Sequence, residues 1–566
     1  MIHSPSWWND LEANQTLSPW LENTSLYAKK YLINALENPT NKAIILSPYQ
    51  STIQQWSLLS PDEWTRIQSS LQDIFKTEHL ITQNLFRKDP ADWNQHIFFS
   101  LPILQRFNQY NWFHQPWTIL SLYTQPASTF LIPFLLLIIP LLILKLRGIS
   151  FPWHYLRSHF WNLLLYACGS DLFQMRGNYH PMTLGFLLVK RWISIGIYLY
   201  GVWSSIRHSI ELQGYASQIA NEFRTLRQWI TQMKTLTESL PDGDLKEKYL
   251  KEFQQQENWI QREFNKIHQW ADYKHFWFPT RWLKPAQCWT LWHKWERTRD
   301  KLNTMMVNVG QLLAIIHLAK LIREQDSEKT PLCFPTWNPK KKHTWKEAWH
   351  PTFKGETPVL QSYTYQKKRR FWLIMGANAS GKTTFLKTAS WIYWMSQAWG
   401  IAPCQSANLK WIDHFWSWVR VPDATGRESL FEAEVRRARE IMNALSQMND
   451  KGETAWVWMD EVFGSTNVKE STACAYATLK TCMNEYPNLM GGSTTHLHGL
   501  WKLKRLPQIH LMAFMMEKQN EDNQWKPTYQ YKTGVKAQEL ALEWVKQKGE
   551  MPEVWLNAAE EMSKKL

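Results

Sequence analysis

Two short stretches carry residue types at spacings suited to phosphate chemistry. Gly376-x4-Gly381-Lys382-Thr383 follows five apolar residues, Phe371 to Met375, and precedes a helix-compatible run that reaches Trp399. Strand, glycine loop and helix in that order make a phosphate-binding P-loop, because the curled backbone points its N–H groups inward and the helix N-terminus adds positive field. Lys382 is then placed to meet the β- and γ-phosphates, and the Thr383 hydroxyl to complete a Mg²⁺ shell. Ala455 to Met459 reads as a short buried strand ending on Asp460-Glu461, which presents an acidic pair at the C-terminal edge of a parallel sheet. Asp460 suits Mg²⁺, directly or through water, and Glu461 is expected to polarise the water that attacks the γ-phosphate.

With two further segments these stretches resemble the MutS-like DNA mismatch repair ATPases of the ABC-type group. The loop Gly376-Ala377-Asn378-Ala379-Ser380-Gly381-Lys382-Thr383-Thr384 has asparagine two places after the first glycine, and Phe385-Leu386-Lys387 follows it. Thr425-Gly426-Arg427-Glu428-Ser429 and the run to Val435 look like the family's signature loop and helix, Asp460 to Asn467 like its acidic strand end and dimer loop, and Ser493-Thr494-Thr495-His496 like its switch histidine. The resemblance covers Trp349 to about Ala558, with His350-Pro351 before the loop and Tyr531-Lys532-x-Gly534 and Met551-Pro552 near the end. It implies ATP and Mg²⁺ as cofactors and a homodimer with two composite sites. Gly376, Asn378, Ser380, Gly381, Lys382, Thr383 and Thr384 then bind nucleotide, Thr383 and Asp460 hold the metal, and Glu461, His496 and Lys382 carry the catalysis. Ser429 reaches ATP on the partner subunit, and the loop Gly464 to Asn467 faces the same way. DNA is the partner the resemblance implies.

Composition allows more than one polyanionic partner. The 566 residues contain 64 Lys+Arg against 49 Asp+Glu, which suits nucleic acid or an anionic membrane surface. Thirty-six tryptophans fit cores, membrane interfaces and base stacking alike. Cysteines at 168, 288, 333, 404, 474 and 482 show no CxxC or zinc spacing, the pattern of free thiols in a reducing cytosol. The N-terminus shows no cleavable leader pattern.

The elements that must position the site are mostly helical. Residues 18 to 39 are expected as a helix with Leu26, Tyr31, Leu32 and Leu36 on one side, and Ser60-Pro61-Asp62-Glu63 opens a second helix carrying Trp64, Ile67, Leu71 and Ile74. From Asn108 to Leu144 there is no Lys, Arg, Asp or Glu, and the apolar segment from Thr118 exceeds the roughly 20 residues that span a bilayer. Trp192 to Ile206, extensible back to Thr183, is a weaker partner for it. Ile219, Phe223, Leu226, Ile230 and Met233 form the seam of a coiled hairpin turning at Pro241-Asp242-Gly243 and returning through Phe253, Trp259, Ile260, Phe264 and Ile267. A helix from about Trp289 to Ile322 leads to a polar linker containing Lys340-Lys341-Lys342-His343, read as solvated.

The architecture expected is an α/β P-loop (ABC-type, MutS-like) ATPase domain preceded by a mostly α-helical lever region with a transmembrane hairpin. Its parts are an N-terminal helical segment 1–117, a membrane hairpin 118–206, a lever and linker 207–348, and the ATPase domain with its helical tail 349–566. Leu21 to Pro39 resembles the opening of the family's core or lever region, so the mismatch-reading and connector domains are expected to be missing. The function expected is ATP-dependent binding of mismatched or structured DNA, with hydrolysis coupled to dimer closure. Membrane contact is expected through residues 118–144, with 183–206 the weaker candidate and a re-entrant or interfacial hairpin the competing topology, and the ATPase domain is expected on the cytoplasmic side. The alternative is a membrane-tethered, nucleotide-dependent scaffold that does not bind mismatched DNA.

Overall fold

A computed structural model describes residues 2–3, 7–40, 42–84, 107, 110–148, 181–268, 284–326, 328–338, 340–354, 357–366, 368–419, 429–518, 525–534, 543, 545–546 and 551–565. The chain divides into two compact units, Met1–Ser60 with Val307–Leu566, and Pro61–Met306. The division falls at 60/61 and 306/307. The reason lies in the packing of the first sixty residues. Trp394 and Trp399 donate their indole N–H groups to the carbonyls of Leu36 and Leu32 at 2.8 and 2.9 Å, and Lys387 meets Glu12 at 2.9 Å. The N-terminal segment therefore covers the helix Lys382–Trp399.

The first unit is built on β1 (Ile2–His3), β2 (Thr344–Ala348), β3 (Gln361–Thr364), β4 (Phe371–Gly376), β5 (Ser406–Asn408), β6 (His414–Trp418), β7 (Ala455–Asp460), β8 (Leu489–Thr495), β9 (Ile509–Lys518) and β10 (Trp525–Thr533). Seven of them form one sheet in the order β1-β6-β7-β8-β4-β9-β10, parallel except for the last pair, while β3-β2-β5 make a small antiparallel sheet. All six residues of β4 are buried, as a continuous apolar run inside a parallel sheet requires. Trp372, Trp391, Trp394, Trp418, Trp456 and Trp458 are also buried here, so much of the tryptophan excess is core packing. The helix expected over 18–39 is shorter. It runs Leu26–Glu37 behind a Ser25 cap, with Tyr27, Ala28, Leu32 and Leu36 buried and Leu26 exposed, because Ser18–Trp20 forms a separate 3-10 turn containing Pro19.

The second unit is helical among its described residues. Pro61–Asn84 buries Trp64, Ile67 and Ile74 as expected, with Leu71 half-buried. Asn111–Ile119, a π-turn at Leu120–Thr124 and Gln125–Leu146 follow one another directly. Pro181–Glu238 is a single helix of 58 residues that contains both the apolar 192–206 segment and the 219–233 seam, which the sequence presented as separate elements. The five seam residues are buried, and Lys234 meets Glu257 of the return helix Asp244–His268 at 2.8 Å. Trp259, Ile260, Phe264 and Ile267 have side chains outside the described set.

The two apolar helices are joined side by side. Ser209 Oγ donates to the Leu122 carbonyl at 2.6 Å and the Tyr198 hydroxyl to the Phe130 carbonyl at 2.9 Å. Leu135, Ile138 and Leu142 on one helix and Trp192, Ile197 and Trp203 on the other are exposed; the connection 149–180 lies outside the described residues. Among the described residues the helix long and apolar enough to cross a membrane is Asn303–Arg323, and 67% of its apolar window is buried within the protein. It is the last part of the helix Lys284–Arg323, with Leu312, Leu313, Ile315 and Ile316 in the core.

Candidate active site

The turn at the end of β4 has a steric cause. Gly376 has φ +150°, and a Cβ there would lie 2.6 Å from the Phe514 carbonyl oxygen, so a side chain is excluded where the backbone leaves the sheet. Ala379 at φ 59° and Gly381 at φ 100° curl the loop, and the helix Lys382–Trp399 starts immediately. Asn378 and Thr384 are exposed on the loop and first helical turn. Lys382 folds back, donating from Nζ to the carbonyls of Gly376 and Ala377, each at 2.9 Å. Ser380 Oγ is buried with no hydrogen-bond partner within the protein, a donor left over in the loop.

The parallel register brings the acidic pair to this loop. Thr494 of β8 lies opposite Ile374 of β4 and also opposite Asp460 of β7, so the C-terminal ends of the three strands are level. Thr383 Oγ1 donates to Asp460 Oδ1 at 3.0 Å, and the Thr494 hydroxyl donates to the same oxygen. Glu461 turns into the left-handed region at φ 51° while its N–H still reaches the Thr494 carbonyl at 3.2 Å. The turn directs its carboxylate to His496, with Nε2 to Oε1 at 2.5 Å. His496 Nε2 also stands 3.5 Å from Lys382 Nζ. Burial lowers the pKa of Lys382 below the ordinary lysine value, and the carboxylates of Glu461 and Asp460 oppose that shift. The structure thus gathers Lys382, Thr383, Asp460, Glu461 and His496. Thr383 and Asp460 supply the hard oxygen donors that Mg²⁺ prefers.

Ser429 stands apart from that cluster. It caps the helix Leu430–Asp450, its Oγ accepting from the Glu432 N–H at 3.2 Å while Glu432 accepts from the Ser429 N–H at 2.8 Å, a reciprocal capping box. No described hydrogen bond joins it to Lys382 or Glu461, and Thr425 to Glu428 lie outside the described residues. Five places along that helix the sequence reading missed Glu434. This buried carboxylate accepts from the Gly464 N–H at 3.1 Å and from the Ser465 hydroxyl, holding the loop that follows Glu461. Asn467 ends that loop as the cap of the helix Val468–Glu485, accepting from the Glu470 N–H at 3.0 Å.

An aromatic cavity of about 410 Å³ adjoins the loop, lined among others by His350, Phe353, Gly381, Thr384, Phe514 and Tyr529. Tyr529 has φ 52° at an irregularity in the β9–β10 pairing, and a Cβ added at Gly381 would come within 3.1 Å of its ring. Gly381 and Thr384 of this wall belong to the motif read from sequence; Phe353, Phe514 and Tyr529, which come from segments distant along the chain, do not.

Known proteins share this part of the chain. Residues 372–566 match the profile of MutS domain V. The DNA mismatch repair protein MutS of Zymomonas mobilis is 29% identical over 159 residues, covering 28% of this chain and 18% of that protein. For the DNA mismatch repair protein MutS of Halothermothrix orenii the figures are 26% over 184 residues, 30% and 20%; for Endonuclease MutS2 of Thermus thermophilus they are 27% over 217 residues, 38% and 27%. The similarity thus spans between 18% and 27% of the length of these relatives. The matched stretch 372–566 holds the strands and helices that carry the cluster around Lys382, and over that region the chain is similar to MutS domain V.

Proposed function

We propose that this chain is a Mg²⁺-dependent ATPase whose two composite sites close on dimerisation and couple hydrolysis to DNA binding. The observation that carries the reading is the convergence of Lys382, Thr383, Asp460, Glu461 and His496 where β4, β8 and β7 end, the edge of a parallel sheet at which ligands bind. ATP is the substrate. The loop amides from Gly376 to Gly381 and the unpartnered Ser380 hydroxyl face its phosphates, Lys382 exchanges its two carbonyl partners for phosphate oxygens, and the aromatic cavity with Tyr529 takes the base. Thr383 and Asp460 would hold Mg²⁺, which neutralises charge on the β- and γ-phosphates when bound. Glu461 orients the attacking water and accepts its proton, and His496 holds that carboxylate in place. Ser429 and Gly464 to Asn467 serve the partner's site.

The exposed apolar faces of Gln125–Leu146 and of residues 186–206 favour a membrane-bound form, with the ATPase domain on the cytoplasmic side. They equally favour the second reading, a membrane-tethered nucleotide switch that does not bind mismatched DNA. Measuring ATP turnover of the detergent-solubilised protein with homoduplex, mismatched and branched DNA separates the two. Turnover that rises with a DNA structure is the outcome expected, and a rate indifferent to every DNA leaves the switch.

A further inference from the structure

A thiol pair lies away from the acidic cluster, at the join between the strap that leaves Lys284–Arg323 and the turn that follows Lys382–Trp399. Cys333 and Cys404 touch, Sγ to Sγ at 3.5 Å. Backbone bonds hold their chains in place: the Cys333 N–H donates to the Ala402 carbonyl at 3.0 Å and the Ala402 N–H to the Cys333 carbonyl at 2.9 Å. Gln50 clamps the same join, its Nε2 donating to the carbonyls of Pro335 and Gly400 at 3.3 and 2.9 Å. Trp349 adds a third tie, donating from its backbone to Pro403 at 3.1 Å and from its indole to Pro331 at 2.7 Å. With the backbones clamped and the sulfurs in van der Waals contact, closing to a covalent bond of about 2.05 Å asks for little more than side-chain rotation.

We propose that Cys333 and Cys404 are an oxidative modification site, a reversible disulfide formed by a hydroperoxide. The two thiols differ in access, since Cys404 is fully buried and Cys333 is partly exposed. Burial also pushes the Cys404 thiol well above the ordinary cysteine value, so Cys333 reacts first. Its sulfur attacks the hydroperoxide oxygen, the O–O bond breaks, and the alcohol, or water from hydrogen peroxide, leaves with the thiol proton. The resulting sulfenic acid on Cys333 is attacked by the Cys404 sulfur; the S–O bond breaks and hydroxide leaves as water with the Cys404 proton. Two thiols are oxidised by two electrons and one peroxide is reduced, so the step balances.

The ring closed by this bond contains β2, β3, β4, the Gly376–Gly381 loop and the helix Lys382–Trp399. Oxidation therefore staples the strap to the turn at the far end of the helix that Lys382 opens, and reduction by a dithiol frees it.

The test uses the full chain, held in detergent and treated with hydrogen peroxide without added thiol, then blocked with N-ethylmaleimide and digested without reduction. The result expected is a linked peptide pair containing Cys333 and Cys404, lost on treatment with dithiothreitol and absent in Cys333→Ser. Cys333 is partly exposed, so that variant folds even where Cys404→Ser does not. Thermal unfolding gives a second readout: peroxide-treated wild type melts several degrees above its dithiothreitol-treated form, and Cys333→Ser melts the same either way. Recovery of Cys333 as sulfinic acid with Cys404 still alkylatable, linkage of Cys333 to another cysteine, or a wild-type melting temperature unmoved by dithiothreitol overturns the proposal.

Discussion

His496 Nε2 lies 2.5 Å from Glu461 Oε1, although the residues follow different strands, β8 and β7, whose parallel register sets Thr494 opposite Asp460. The contact fixes the orientation of a carboxylate on a left-handed residue that its own backbone leaves exposed. Glu461→Gln is expected to bind ATP at near wild-type affinity while hydrolysis falls roughly 10²- to 10⁴-fold, the usual range for loss of a general base. His496→Ala is expected to fall less, about tenfold, because it orients the base without replacing it. Single-turnover hydrolysis measures both, and equal turnover in Glu461→Gln and wild type refutes the assignment.

Lys382→Ala removes the ammonium that spans the loop and is expected to lose nucleotide binding. Ser429→Asn retains a capping side chain, so the protein is expected to melt like wild type yet hydrolyse slowly, since the serine serves the opposite site. Mixing the two variants then rebuilds one working site per dimer. Full activity in a strictly monomeric preparation would sink the composite-site reading.

Glu434 accepts from Gly464 and Ser465 across the first unit, which makes it a positioning residue for the loop after Glu461. Glu434→Ala is expected to lower kcat about tenfold with nucleotide affinity nearly unchanged, at a stability cost of roughly 1–3 kcal/mol for the unpaired groups. Glu434→Gln still offers an acceptor to the Gly464 N–H and is expected to recover part of kcat. A change confined to stability, with kcat intact, counts against the role.

His350 titrates far from its ordinary range. Burial, with help from Lys387, pushes it down to about 3, and as a neutral ring its Nδ1 accepts from the Thr352 N–H at 3.3 Å. The folded value lies below the unfolded value of about 6.5. Between those limits the unfolded chain binds the extra proton, so stability falls as pH drops from about 6.5 towards 3, by up to about 1.4 kcal/mol per unit. His350→Asn keeps an acceptor for Thr352 and removes this term. Urea midpoints at pH 7 and pH 5 are expected to differ more in wild type than in the variant, and equal differences contradict the assignment.

Apolar faces on two paired helices bind lipid more strongly than a basic surface does, because salt screens charge but not burial. The intact protein is therefore expected to pellet with membranes, to resist high salt and carbonate, and to be released by detergent. Full-length protein that stays dispersed without detergent ends the membrane reading and leaves the ATPase reading untouched.

By itself the sequence determined the chemistry-bearing stretches, because glycine spacing and an acidic strand end are local signals. Gly376 to Thr383 and Asp460-Glu461 lie on the predicted strand, loop and helix for reasons of backbone sterics and hydrophobic run length that act within a few residues. The helices beginning at Pro61 and near Trp289 were legible for the same reason. Tertiary structure alone decided which of these meet. Glu434 found Gly464, and Cys333 found Cys404, through packing that joins chain segments about 30 and 71 residues apart. Periodicity also parted Trp192–Ile206 from Ile219–Met233, yet one helix carries both, since helical hydrogen bonds propagate wherever no proline or cap stops them. The first sixty residues join the unit built on the parallel sheet, where Trp394 and Trp399 donate to the carbonyls of Leu36 and Leu32, contacts between segments more than 350 residues apart that form only once the chain has folded.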